Sequence, residues 1–416
     1  MVISRYNKLF EVEGRYFVYN SSSKALLEID DTTKSFLKGD TKEIGEDLEE
    51  VLYNNGIVTE SHSFETGRMI NNMNNVKYDT KRPSVFLSLT PSCNLNCVYC
   101  YQDARKDLHE CNQFLSPENW AEIFSYLQKT VKETQAEALT VFLFGGEPML
   151  KSSLLEEYIK EIRTLDTRVI LVLITNGTLF NEDNVDFYCK NIDSIQITMD
   201  GMKETHDKLK PYMDGRGSFD VILNNIKLLE HHDVQELTLR INLDQNTLPS
   251  VYQFVDYLCD NGINKGITAV KFAPIFSTQN EILGCSHSNE NSLSPELLGE
   301  LYIYAAKKGL RTFKDFDNGL CVGKVQNGFS IDEKLNVYAC PGVLYQEPSA
   351  VLKNNEIVIK DEKWYQFLND DSDCIKSCEY APICFGGCKW SKECNKRLYD
   401  AAFEKILQAY VISFYL

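Results

Sequence analysis

Apolar and polar residues alternate through KLFEVEG, RYFVYN and KALLEID, between residues 7 and 29, with Gly14 and Asn20 at the breaks. A period of two bounded by turn residues predicts short strands. Two helices are expected next, near 32–38 and 43–55, followed by a short extended piece, GIVTE. Residues 60–82 are polar and read as a linker or an irregular cover. From residue 84 strands and helices take turns. The strands are SVFLSLT (84–90), LTVFLFG (139–145), RVILVLIT (168–175), SIQITMD (194–200), ELTLRINL (236–243) and TAVKFAP (268–274), with helices at 117–133, 153–164, 219–231 and 250–261 among them. Several of these strands are nearly continuous apolar runs, the mark of parallel strands inside an α/β layer structure. Six β/α repeats predict a partial (β/α)6 barrel of the TIM type, whose sites gather at the carboxyl ends of the strands. Beyond residue 275 the alternation stops; a polar stretch and one helix (295–308) lead into a cysteine-dense tail. The expected division is 1–60, a linker at 61–83, the barrel at 84–275, a bridging region at 276–320 and the tail at 321–416.

The chain has 416 residues, enough for two or three units with cores of their own. No run of eighteen apolar residues occurs and the amino-terminal stretch lacks a signal-peptide apolar segment, so a cytoplasmic protein without a membrane span is expected. Net charge is −17, from 60 acidic and 43 basic residues, and no basic stripe interrupts it. Nucleic-acid binding, which needs a cationic face to displace counterions, is therefore excluded from the expected partners.

Cysteine changes the picture. Fourteen cysteines in a chain expected to sit among reduced thiols point to metal ligation rather than disulfides. Cys93, Cys97 and Cys100 follow the first barrel strand directly, and Cys321, Cys340, Cys374, Cys378, Cys384, Cys388 and Cys394 crowd the tail. Three thiolates in eight residues on one loop can face a single centre, and soft thiolates select zinc or iron–sulfur clusters. A structural zinc needs four ligands where this loop offers three, whereas three cysteines on a cubane leave one iron open. Seven tail cysteines exceed one tetrahedral site, so two further centres are the economical reading. Cys189 and Cys259 sit in apolar helical contexts and are expected to be small core residues, and Cys111 has no assignment.

The Cys-x3-Cys-x2-Cys loop, with Tyr99 before its last cysteine, resembles the signature of the radical SAM superfamily. The resemblance implies a 4Fe–4S cluster whose free iron chelates S-adenosylmethionine, giving a 5′-deoxyadenosyl radical after one-electron reduction by a donor such as a flavodoxin or ferredoxin. Other positions match. Gly145-Gly146-Glu147-Pro148 resembles the family's GGEP motif, with Glu147 facing the cofactor's ammonium. Thr175-Asn176-Gly177 ends the third strand, where ribose or methionine is contacted. Thr198-x-Asp200-Gly201 is similar to the S-x-D-G motif of peptide-modifying members. Arg240 in the fifth strand offers a fork to the cofactor carboxylate or, equally, a structural salt bridge. Lys210 stands where many relatives carry arginine in H-D-x-x-R, a point charge in place of a fork, with Arg216 as a candidate substitute.

The tail resembles a SPASM domain, which implies two auxiliary 4Fe–4S clusters. By that analogy the inner one takes Cys321, Cys340 and Cys388, with its fourth position either open or filled by a remote residue such as Cys285; the outer one takes Cys374, Cys378, Cys384 and Cys394. Leu335 occupies a position where the domain has glycine. The first sixty residues resemble a winged-helix precursor-peptide recognition element, which binds a leader peptide by strand addition; a structural cap over the barrel is the alternative. The family reading is a maturase that installs a thioether, carbon–carbon or ether cross-link in a ribosomally made precursor peptide bearing a leader. The alternatives are an anaerobic sulfatase-maturating enzyme that forms formylglycine, and a non-catalytic iron–sulfur carrier or scaffold. No general base is named by the sequence.

Overall fold

In a computed structural model, the structure describes residues 1–41, 44–100, 102, 113–275, 293–312, 321–361, 364, 374–388, 394 and 396–416. Cys111, Cys285 and much of the expected bridging region lie outside the described residues. The chain opens with β1 (Val2–Ile3), β2 (Asn7–Val12), β3 (Arg15–Asn20) and β4 (Leu26–Ile29), then α1 (Asp31–Lys38), α2 (Glu46–Asn54), β5 (Val58–Thr59) and α3 (His62–Lys77). Strands β2, β3 and β4 form an antiparallel sheet in that order. Its first hairpin pairs Val12 with Arg15, leaving Glu13 and Gly14 as a two-residue turn with φ of 51° and 80°. Two left-handed residues give the turn twist that flanking strands need, which is why glycine follows there. One face of the sheet, with Leu9, Val18 and Leu27, packs on Leu52 and Phe36 of the two helices. The other face carries Phe10, Val12, Phe17 and Tyr19 and packs on Phe403, Leu407 and Val411 of the helix α11 (Lys396–Tyr415).

The stretch expected to be a linker is the sixteen-residue α3. Ser61 caps it by accepting from Phe64 N at 3.2 Å. Its buried Glu65 accepts from Ser4 Oγ at 2.6 Å and from Arg5 Nε at 3.0 Å, tying β1 down. Only Met69 and Met73, with Ile70 beside them, supply its apolar stripe, packed against Tyr6, Ile375 and Ala381. Four asparagines in MINNMNNVK mask that stripe in the sequence.

The barrel strands are β6 (Ser84–Ser88), β7 (Ala138–Phe144), β8 (Arg168–Thr175), β9 (Ser194–Thr198), β10 (Leu237–Leu243) and β11 (Ala269–Pro274), parallel and adjacent in chain order. Between them run α4 (Pro117–Thr134), α5 (Ser152–Ile162), α6 (Val185–Asn191), α7 (Lys203–Leu209), α8 (Phe219–His231) and α9 (Leu248–Asp260). Odd-numbered strand residues, such as Leu87, Leu173, Ile195, Ile197, Leu239 and Ile241, are buried in the main apolar core with Ile123, Leu127, Ile159, Ile226 and Val255 of the helices. Even-numbered residues of β6 to β10, such as Phe86, Phe144, Ile174, Gln196, Thr198 and Arg240, turn the other way and line one cavity, so the sheet curls around it; in β11 the even-numbered Val270 and Phe272 join the core instead. Cys189 is buried in the core and Cys259 packs against it.

In the tail the sheet continues. Strand β12 (Gly328–Ile331) pairs in parallel with β6, and β13 (Asn336–Tyr338), β14 (Ala350–Lys353) and β15 (Glu356–Ile359) extend the sheet antiparallel to ten strands. Phe329, Ile331, Val337, Ala350 and Leu352 join the main core, so apolar burial supports this half of the tail. Beyond it, single helical turns at Cys374–Ser377 and Ala381–Cys384 precede α11, which packs on α10 (Pro295–Lys307). Among the described residues, no helix is long and apolar enough to cross a membrane.

Candidate functional site

The six parallel strands end around a cavity of about 470 Å³. Cys93, Cys97 and Cys100 stand on one wall, with Tyr99 between them, and Gly145, Gly146, Thr175, Asn176, Thr198 and Arg240 line the rest. The cysteine loop is held from both sides. On one side β7 continues past its end: Leu89 N donates to Phe144 O at 2.9 Å, Gly146 N to Thr90 O at 2.7 Å and Glu147 N to Ser92 O at 2.9 Å. On the other, Asn96 N donates to Pro211 O at 2.8 Å and Val98 N to Leu209 O at 2.9 Å. The two glycines are needed for this approach. A β-carbon on Gly145 would stand 2.4 Å from Thr90 O, and one on Gly146 2.2 Å from Ser92 O. The glycine pair thus serves the loop that carries the cysteines as well as the cavity.

Glu147, Pro148 and Asp200 stand behind the wall. The Glu147 carboxylate accepts from Thr175 Oγ1 at 2.7 Å, Met149 N at 3.0 Å and Asn176 N at 2.8 Å, so it fixes the end of β8. Burial raises its pKa and those three donors hold it back. Pro148 opens the short helical turn that follows. Asp200 accepts from the Tyr99 hydroxyl and, at 2.8 Å, from Asn242 N. Asn242 Nδ2 in turn donates to Tyr99 OH at 3.0 Å, and Arg240 Nε donates to Asn242 Oδ1 at 2.8 Å. This chain links the ends of β9 and β10 to the cysteine loop. Among the described residues Arg240 makes no salt bridge, although its charge acts on Asp200.

Behind Asp200 lies a neutral histidine. His206 Nδ1 accepts from Asp200 N at 3.1 Å, which places the ring proton on Nε2; Nε2 donates to Ser218 Oγ at 3.0 Å, and that hydroxyl donates to Lys210 O at 2.6 Å. Burial, with Lys210 nearby, pulls the His206 pKa down to about 3. The ring should therefore show no titration in imidazole 15N shifts from about pH 5 to about pH 9, and a protonation step near 6.5 would contradict the bonding pattern. Because the unfolded chain binds this proton first, the ring destabilises the fold progressively as pH falls from 6.5 towards about 3.

Lys210 points into the cavity wall and is buried. Burial favours its neutral form, but the thiols, Cys97 foremost, and Asp200 outweigh that, so the ammonium is held charged. Arg216 does not substitute for it: this side chain is exposed, bonds Asp214 Oδ2 at 2.7 Å and lies over the Tyr212 ring. Gln196, Asn242, Phe86, Phe144, Ile174, Pro341 and Gly342 line it as well. Gln196 and Asn242 are polar breaks in apolar strands, two residues from Thr198 and Arg240 and hence on the same face; that signal was available in the sequence.

The thiols are poorly ionised by themselves. Burial, then Glu147 and Cys97, push Cys93 up to about 12, and burial raises Cys97 despite Lys210. A cubane held by three thiolates fits the wall: the sulfurs stand on one loop, the cations Lys210 and Arg240 face the negative charge it brings, and the cavity continues beyond it. In the tail, Cys340 is influenced by both Cys321 and Cys388, and Cys384 by both Cys378 and Cys394. Cys374 stands one helical turn before Cys378, whose N–H donates to its carbonyl at 2.8 Å. The first group adjoins the cavity through Pro341 and Gly342; the second touches the amino-terminal sheet and α3.

Comparison with known proteins agrees with this geometry. Residues 87–256 match the radical SAM superfamily. A cysteine-type anaerobic sulfatase-maturating enzyme of Clostridium novyi (strain NT) is 28% identical over 346 residues, 73% of this chain and 87% of that one. A structure of anSMEcpe with bound AdoMet and Cp18Cys peptide superposes with a TM-score of 0.59 at 18% identity, covering 79% of this chain and 99% of the other. Streptococcus suis SuiB bound to precursor peptide SuiA gives a TM-score of 0.55 at 13% identity and covers 94% of this chain and 95% of its own. Residues 87–256, which carry Cys93, Cys97 and Cys100 and strands β7 to β10, are a radical SAM domain.

Proposed function

We propose that this protein is a peptide maturase that uses S-adenosylmethionine to cross-link side chains of a ribosomally made precursor, forming a thioether, carbon–carbon or ether bond. The observation that carries the reading is a single cavity walled by Cys93, Cys97 and Cys100 on one side and by the tail segment Pro341–Gly342 on another. Bound S-adenosylmethionine and the reduced cluster supply the hydrogen-abstracting radical. Cys93, Cys97 and Cys100 hold the cluster; Gly145, Gly146, Thr175, Asn176, Thr198 and Arg240 bind and orient the cofactor; Phe86, Phe144 and Ile174 keep water from the reacting side. The tail is read as a SPASM domain, with Cys321, Cys340 and Cys388 at the inner auxiliary cluster and Cys374, Cys378, Cys384 and Cys394 at the outer one.

The amino-terminal unit favours a peptide with a leader. Its sheet ends in β4, which pairs with β3 and, among the described residues, with no other strand, and three helices follow. Such an edge is suited to strand addition. The fold shared with SuiB, a protein solved with its precursor peptide, takes in 94% of this chain against 79% for anSMEcpe. The sulfatase-type reading is retained as the second, because the Clostridium novyi relative spans 73% of the chain.

Alanine at Cys93, Cys97 or Cys100 is expected to abolish 5′-deoxyadenosine formation. Alanine at Cys340, Cys384 or Cys388 is expected to spare part of that cleavage and to lose the modified peptide, detected as a mass lowered by two hydrogens. Product formed equally by both sets of variants would refute the reading, and formylglycine in a sulfatase would replace it with the second.

A further inference from the structure

On the two-cluster reading of the tail, which this assignment takes as its basis, we propose that Lys324 is a positioning residue shared by both auxiliary clusters. Its side chain spans from the Cys321 turn to the carbonyl that follows Cys384, and its ammonium favours the reduced state on either side.

Cys321 precedes one short helical turn that Lys324 closes, with Lys324 N donating to Cys321 O at 2.7 Å. Two residues on, Gln326 N donates to Lys77 O at 2.8 Å, which fastens the turn to the end of α3. Lys324 is 5% exposed, and its Nζ donates to Phe385 O. Phe385 stands between Cys384 and Cys388, where the chain turns through φ of 49° at Phe385, 80° at Gly386 and 76° at Gly387. A residue with a β-carbon keeps such a conformation only where its surroundings hold it. Here the Phe385 ring packs on the cluster of Tyr6, Met69 and Met73, its N–H donates to Ala381 O at 2.9 Å, and its carbonyl accepts from Lys324. One buried side chain thus joins the segment of Cys321 to the turn that carries Cys384 and Cys388.

The position of the charge matters as much as the tie. It favours the thiolate form at Cys321 and at Cys384, one member of each cysteine group. Lys396 also acts on one of these thiols, Cys378, but stands in a different setting. It is half exposed, bonds Glu379 at 2.7 Å and lies 3.7 Å from Asp400, so water and two carboxylates absorb its charge. A thiolate-bound cubane is an anion whose potential follows its net charge, its hydrogen bonds and its exposure. One-electron reduction adds negative charge, so a buried cation that acts on both groups stabilises the reduced form of each.

The test uses the full-length chain with Cys93→Ala, Cys97→Ala and Cys100→Ala, so that only tail iron remains after anaerobic reconstitution. Redox titration followed by electron paramagnetic resonance reads the clusters. Lys324→Met should lower both midpoint potentials, a loss of about tenfold in the reduced-to-oxidised ratio at fixed potential, or about 59 mV for one electron. Lys324→Arg should keep both at the wild-type values, and Lys396→Met should leave them unmoved. Should Lys324→Met not fold, Lys324→Gln removes the charge while keeping a donor, and the same two shifts are expected. A purely structural tie would lower iron and sulfide content without moving the potentials of the clusters that remain. Unmoved potentials, or a shift in one cluster alone, would overturn the assignment and leave the two-cluster reading standing. A loop variant that holds no iron with Lys324 intact would instead remove that reading, and the assignment with it.

Discussion

Gly146→Ala is expected to remove the cluster, because the new methyl would meet the backbone that places Cys93. The β-carbon would lie 2.2 Å from Ser92 O, 2.6 Å from Ser92 C and 2.7 Å from Pro91 O. All three are backbone atoms, which cannot rotate away as a side chain can. Relief requires the loop to move, and overpacking of this kind costs about 1–3 kcal/mol. A displacement of that size breaks the pairing of Gly146 N with Thr90 O and Glu147 N with Ser92 O, and with it the spacing of the three sulfurs. Iron and sulfide content after anaerobic reconstitution should fall to a small fraction of the wild-type value. Gly67→Ala is the control: nothing lies within 4 Å of its β-carbon, and in the α3 interior alanine should stabilise by about 0.5–1 kcal/mol. Full iron content in Gly146→Ala would mean that the loop is not held by this approach.

Lys210→Met should have the second large effect. The variant keeps the length and apolar stem of the side chain and removes the charge that Cys97 and Asp200 face. Removing one partner from a buried charge set costs about 3–5 kcal/mol. Asp200, already raised by burial, loses the first of the influences that oppose that rise and is raised further. A carboxyl with a raised folded-state pKa contributes its stability below the unfolded value and loses it as pH rises. The loss of melting temperature in Lys210→Met should therefore be smaller at about pH 5 than at about pH 8. Cluster content should drop as well, since the anionic group loses a facing cation. An unchanged melting temperature at both pH values would refute this account of Lys210.

The barrel was legible because its strands carry long apolar runs. RVILVLIT was expected over 168–175 and the helix at 219–231, and both have those bounds in the structure. The remaining strand limits shifted by one or two residues, where pairing rather than composition sets the ends. The three cysteines and the GGEP, TNG and T-x-D-G segments needed only spacing and position after a strand. What the sequence concealed depends on distant partners. GFSI and NVY are too short to announce strands, and β12 takes its register from β6, far away along the chain. Arg216 looked like the spare cation, but its bond to Asp214 turns it to the surface, while Lys210 is carried inward by the segment that pairs with Asn96 and Val98. The asparagine-rich α3 was hidden because two methionines and a half-buried ion pair do the packing that a leucine stripe usually does.

The contact between the early sheet and α11 has a consequence for how the molecule comes into being. Phe10, Phe17 and Tyr19 are sheltered by Phe403, Leu407 and Val411, nearly four hundred residues later. As the nascent polypeptide leaves the ribosome, this aromatic surface stays uncovered until α11 has been made. Domains usually settle in the order of synthesis; here the early sheet cannot be completed until α11 has been made, so its folding is tied to that of the far end of the barrel's surroundings.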